Sequence, residues 1–195
     1  MPDILPLLGF AVAGSVTPGP NVLMVAAGAA GSGVWAVMPH MLGITFGFAA
    51  MIALVGLGLA GPLAANPTIH AGLQVVAVLW LLWLAWKIAT APPPGEGPAR
   101  PPMNFIQAAL FQWVNPKAWM VAGAAIAGYA RPGEALLPQV LTIALVFGLV
   151  SMPCLLLWAS LGAGARRLLR DGRRLRAFNV TMGVLLALSV LPLLF

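Results

Sequence analysis

The chain has 195 residues, of which 61% are hydrophobic and 7% charged, whereas a soluble domain typically carries about 25% charged residues. Together with a mean hydropathy of +0.98, this excludes a water-soluble globule and indicates an integral membrane protein. The net charge of +6 comes largely from six arginines in "RRLLRDGRRLR", Arg166 to Arg176; such a loop between apolar runs is an orientation signal beside an anionic leaflet, so the bilayer and not nucleic acid is the expected partner.

Apolar runs long enough to span a bilayer fall near 4–30, 38–60, 70–90, 105–130, 136–161 and 177–195, which predicts an all-α polytopic protein of six transmembrane helices. The whole chain, 1–195, reads as one transmembrane domain: a first repeat over about 1–90, a polar linker over about 91–102 and a second repeat over about 103–195. No cleavable signal peptide is expected, because "MPDILPLL" lacks a basic leading region and the first apolar run outlasts a signal core. "GSGVW" with Pro39 separates the first two runs, and "GPLAANPT" the second and third. The linker "APPPGEGPARPP" is dense in proline, which favours an extended connection. Counting Lys and Arg puts the 161–176 loop in the cytoplasm with the 87–102 loop, and six spans then leave both termini outside. The uncharged 31–37 loop leaves the alternative of a first segment that only enters the membrane from a cytoplasmic terminus. Gly43 and Gly47 form a G-x-x-x-G in the second run, a spacing for close helix packing, inside the bundle or at a homodimer face.

Two of the runs are broken. "TPGPN", Thr17 to Asn21, interrupts the first and "NPK", Asn115 to Lys117, the fourth. Laying Gly19–Ala30 over Asn115–Ile126 puts Pro20 on Pro116 and Met24 on Met120. Three spans per half would run the halves in opposite directions, and inverted repeats with interrupted helices in matching positions point to a transport site near the midplane. Pro18 and Pro20 carry no N–H, so the carbonyls of Gly14 and Val16 lose their helical donors. Gly19 lets the backbone turn, and Thr17 and Asn21 supply short polar groups for the freed backbone. The break therefore offers carbonyls suited to an ammonium and a half-helix N-terminus suited to a carboxylate. Lys117 lies about 12 residues into its run, roughly 18 Å deep at 1.5 Å per residue. A cation beside a helix N-terminus favours an anion nearby, and Asp3, Glu96, Glu134 and Asp171 all fall in terminal or loop positions. An anionic substrate group is the expected complement.

These residues resemble the LysE/RhtB family of amino-acid exporters, whose proline-glycine-proline and asparagine-proline-lysine motifs are matched by "TPGPN" and by Asn115, Pro116 and Lys117. "LWLLWLAWK", Leu79 to Lys87, is similar to the aromatic end of the family's third helix, and the likeness covers essentially the whole chain. It implies a six-helix exporter of amino acids or close derivatives in the bacterial inner membrane, a proton-coupled antiporter working by alternating access. The substrate-binding residues it implies are Pro18, Gly19, Pro20 and Asn21, facing Asn115, Pro116 and Lys117; the freed backbone of the first break adds Gly14, Val16 and Thr17 to the expected set. Phe48 departs from the family, many of whose members carry a polar or acidic residue there.

His40, at the start of the second span, is a candidate proton relay because histidine titrates near neutrality; as an interfacial group it would instead be solvated. His70 is the weaker candidate. Thr45, Gln107 and Gln112 line a cavity or join helices, and Lys87 snorkels to the interface. The sole cysteine, Cys154, allows no internal disulfide. No nucleophile–base pair, metal-ligand spacing or phosphate loop is present, so neither enzymatic chemistry, nor a metal, nor a cofactor is expected. Uncharged walls favour a neutral amino acid. The rival readings are a carrier for a metal cation or amine and a non-transporting accessory protein.

Overall fold

The computed structural model describes residues 2–58, 67–91, 101–131, 133–168 and 172–191. Among them are eight α-helices and no strand: α1 (Ile4–Val16), α2 (Pro20–Ser32), α3 (Met38–Gly56), α4 (Pro67–Ala89), α5 (Phe105–Phe111), α6 (Pro116–Tyr129), α7 (Leu136–Leu168) and α8 (Gly172–Leu188). Single 3₁₀ turns, Trp35–Val37 and Gln112–Val114, lead into α3 and out of α5. Most of the proline linker, the 59–66 segment and part of the arginine-rich segment lie outside the described residues.

Prolines start the helices where the sequence places its breaks. Pro20 opens α2 and Pro116 opens α6, the first-turn position where a missing N–H costs nothing. The first run is thereby divided into α1 and α2, bent by 53°, and the fourth into α5 and α6. Asn104 and Gln107 close a reciprocal cap at the head of α5, with Gln107 N–H donating to Asn104 Oδ1 at 2.9 Å. Gln107 is thus a capping residue.

By length and apolar character, two helices among the described residues can each cross a bilayer, Trp35–Gly56 and Leu136–Ala165. Taking the bent α1–α2 pair as one span makes three. Of the other expected spans, α4 is a continuous helix of 23 residues, and the fourth run and α8 are shorter for local reasons. Asn115 cuts the fourth run, and α8 opens on "GRRLR", leaving few apolar residues at its head.

Helices α3 and α7 run through the centre, and each belongs to two cores. Met41 and Ile44 pack with Leu155, Ala159, Leu23 and Leu84 in one. Phe48 and Ile52 pack with Ile143, Phe147, Leu7 and Ala122 in the other. Early α3 thus meets late α7, so the two are antiparallel. The cores meet near residue 46 of α3 and residue 151 of α7, close to the middle of both. Elsewhere α1 and α2 lie on α7, α5 and α6 lie on α3, and α4 lies on α8.

The G-x-x-x-G face of α3 is filled from inside the chain. A Cβ on Gly47 would sit 2.6 Å from Ala109 Cα, and one on Gly43 would strike the Phe105 carbonyl and Ala108. Contact this close between α3 and α5 demands glycine, so this G-x-x-x-G serves packing inside the chain.

Candidate functional site

A pocket of about 480 Å³, including its open mouth, lies where the two cores meet. Its polar end is built by the two breaks. Gly14, Ser15, Thr17, Gly19 and Asn21 line it from the first, and Asn115 and Lys117 from the second. Val16, Pro18, Pro20 and Pro116 do not line it; the prolines act on the site through the backbone they interrupt.

The chain reaches this arrangement by satisfying most of what the prolines release. Thr17 ends α1, its N–H and hydroxyl both directed to the Ala13 carbonyl. The Val16 carbonyl, freed by Pro20, accepts a hydrogen bond from Trp158 Nε1 of α7 at 3.0 Å. It is therefore engaged within the protein and is not the open acceptor expected from the sequence. Gly14, whose carbonyl loses its donor to Pro18, remains at the pocket.

Asn21 likewise has a partner in the other half. Its Nδ2 donates to Gln112 Oε1 at 2.8 Å, and Gln112 Nε2 donates back to Asn21 Oδ1 at 3.3 Å and to the Ala108 carbonyl at 2.8 Å. Gln112 is fully buried, so the pair is a cross-chain clamp between the two breaks. Asn115 is spent on its own helix, its Oδ1 accepting from the Lys117 N–H at 3.2 Å.

Lys117 crosses from one break to the other. Its ammonium donates to the Thr17 carbonyl, and its stem runs past Gly19, where a Cβ would lie 2.7 Å from Lys117 Cδ and 3.2 Å from Nζ. Gly19 has extended backbone, φ −176°, so the close approach of the lysine, rather than the backbone angle, is what favours glycine. An ammonium has three donors, and with one on Thr17 the other two are available to a ligand. Among the described residues no carboxylate side chain lines the pocket; Asp3 pairs with Arg131 at 2.9 Å on the exposed surface.

The remaining walls come from Val22, Ile44, Phe48, Ala118, Val121 and Leu155, with Ser151. Of these the sequence singled out only Phe48. Ile44 and Phe48, like Ser151 and Leu155, are one turn apart on an unbroken helix, and nothing in composition distinguishes such pairs from ordinary core. Thr45 faces Ser151, whose Oγ lies 3.1 Å from Thr45 Oγ1. Thr45 and Gln112 therefore join helices and do not line the pocket.

His40 is 2% exposed in the first turn of α3 and lies outside the pocket lining. The packing of α3 buries it, so it is not the solvated interfacial group that its sequence position suggested. Neither ring nitrogen has a hydrogen-bond partner. The His70 side chain is outside the described residues. Lys87 Nζ sits 4.2 Å from the centre of the Trp83 ring, a cation–π contact at the end of α4.

Residues 12–194 match the family model described as LysE type translocator. The chain belongs to this family. As a LysE type translocator it is a multi-pass bacterial membrane protein. Among curated relatives, the cysteine/O-acetylserine efflux protein of Salmonella typhimurium (strain LT2) is 30% identical over 174 residues, covering 88% of this chain and 87% of that protein. The protein of the same description from Escherichia coli (strain K12) is 28% identical over the same shares. No solved structure matches the chain. In this translocator Phe48, at the position where the resemblance implied a polar or acidic group, is a pocket wall packed edge-on against Phe147 at 5.5 Å.

Proposed function

We propose that this translocator exports small neutral amino acids or close derivatives by alternating access around the pocket between the two breaks. The observation that carries the proposal is Lys117, a cation with two uncommitted donors beside a half-helix N-terminus, in a pocket without a carboxylate side chain. The substrate carboxylate takes those donors and the N-terminal dipoles of α2 and α6. The substrate ammonium faces the Gly14 carbonyl and the Ser15 hydroxyl. A metal cation or a simple amine would meet the lysine with nothing to offset it. The relatives described as cysteine/O-acetylserine efflux proteins support a substrate of this size and charge.

Six membrane crossings, as two inverted repeats of three, fit the way the helices associate. Exchanging the halves turns the α1/α2–α7 pairing into the α5/α6–α3 pairing and leaves α3–α7 and α4–α8 unchanged. The site then lies at the midplane, where rocking of one repeat against the other alternates its access. The 161–176 segment, expected as a loop but largely helical as the end of α7 and the head of α8, faces the cytoplasm of the inner membrane, with both termini outside. Export is coupled to protons, and His40, buried without a partner, is the candidate relay.

Proteoliposomes containing only this protein, loaded with a mixture of amino acids, test the proposal. Selective loss of small neutral amino acids, faster under an imposed pH gradient, is the expected result. Loss that ignores the gradient removes proton coupling, and no loss above empty vesicles from folded, inserted protein removes export.

A further inference from the structure

The polar groups of the pocket divide by origin. Those that suit an amino acid's carboxylate and ammonium come from the two breaks. The two unbroken helices, α3 and α7, contribute Ile44, Phe48, Leu155 and Ser151. A substrate held at the breaks by its charged groups projects its side chain toward this wall. Ser151 is the one polar side chain there.

Its surroundings fix what it can do. Ser151 is 4% exposed, and its Oγ lies 3.1 Å from Thr45 Oγ1 and 3.3 Å from the Gly148 carbonyl. The Gly148 carbonyl can only accept, so either way the Ser151 proton has a place inside the protein. A hydroxyl keeps two acceptor lone pairs. Thr45, outside the lining, holds the serine from behind without competing for the substrate.

From this we infer that Ser151, positioned by Thr45, is the specificity-determining residue of the pocket. It selects amino acids whose short side chain ends in a hydrogen-bond donor, a hydroxyl or thiol, over apolar side chains of the same shape. The inference rests on the export reading above. The physical basis is the asymmetry of buried polar groups. A site built around a hydrogen bond discriminates against an isostere that leaves its polar atom unpaired, whereas an apolar wall distinguishes shapes only weakly.

Serine and 2-aminobutyrate differ only by hydroxyl against methyl and are the probes. In proteoliposomes the native protein exports serine faster. Ser151→Ala lowers serine efflux about 3- to 10-fold, the range of one net hydrogen bond, and leaves 2-aminobutyrate within about twofold. Thr45→Val, which leaves the lining intact, shifts the ratio the same way by less. An unchanged serine to 2-aminobutyrate ratio in a Ser151→Ala protein that still exports 2-aminobutyrate at the native rate overturns the role of Ser151 and leaves export standing. A native protein that does not prefer serine overturns it equally. Absence of efflux of every amino acid from the native protein overturns the export reading, and this inference with it.

Discussion

The ammonium of Lys117 donates to the main-chain carbonyl of Thr17, 100 residues away in sequence. One contact thus joins the two interrupted helices and orients the one cation among the described residues of the pocket lining. Before a substrate arrives, the lysine is held by a neutral acceptor; a carboxylate outcompetes a carbonyl for it because charge-assisted hydrogen bonds are the stronger kind.

Lys117→Met keeps the length of the stem and removes the charge. Efflux of any amino acid should fall by at least about 10- to 100-fold, the worth of one hydrogen bond to a charged group. Membrane insertion and the melting temperature in detergent should change little. A variant that exports normally would remove Lys117 from substrate recognition.

Gly19→Ala separates position from charge. The new methyl displaces the end of a flexible side chain, which is cheap in stability, and no backbone strain accompanies it at φ −176°. The expected result is a melting temperature close to native with a several-fold rise in the substrate concentration for half-maximal efflux. A fall in thermal stability with unchanged half-saturation would mean that Gly19 serves packing alone.

Both breaks were legible in the sequence because proline and glycine alter the backbone regardless of context. Pro20 and Pro116 open helices where the chain said they would. What those breaks do with their loose ends was not legible, since that depends on side chains far away. Trp158 takes the Val16 carbonyl and Gln112 takes Asn21, pairings that no local pattern encodes. The apolar walls were hidden for a second reason. In a membrane protein the core, the lipid face and a pocket are all apolar, so helical periodicity loses its contrast. Thus Phe46 is 60% exposed and its near neighbour Phe48 lines the site.

Trp158→Phe preserves the ring and deletes the donor. The Val16 carbonyl, already deprived of its helical partner by Pro20, is then left unpaired, at about 1–3 kcal/mol. A lower melting temperature in detergent is expected, with expression maintained. An unchanged melt would mean that water or another group replaces the indole.

Gly47→Val tests the crowded face of α3. Overpacking against Ala109 should cost about 1–3 kcal/mol and reduce the folded yield, with no change in oligomeric state. A shift from dimer to monomer at native stability would instead place that face between copies of the chain.

The two cores are separate clusters that share α3 and α7, and the pocket takes walls from both. If transport proceeds by alternating access as proposed, such a division would set the resting state independently of the binding groups. Loosening Ile143 would relax one core and loosening Leu84 the other, while the pocket lining stays in place. Relatives could therefore retune how long the pocket faces each side of the membrane, and so the direction and pace of flux, through aliphatic substitutions that leave the recognition chemistry untouched.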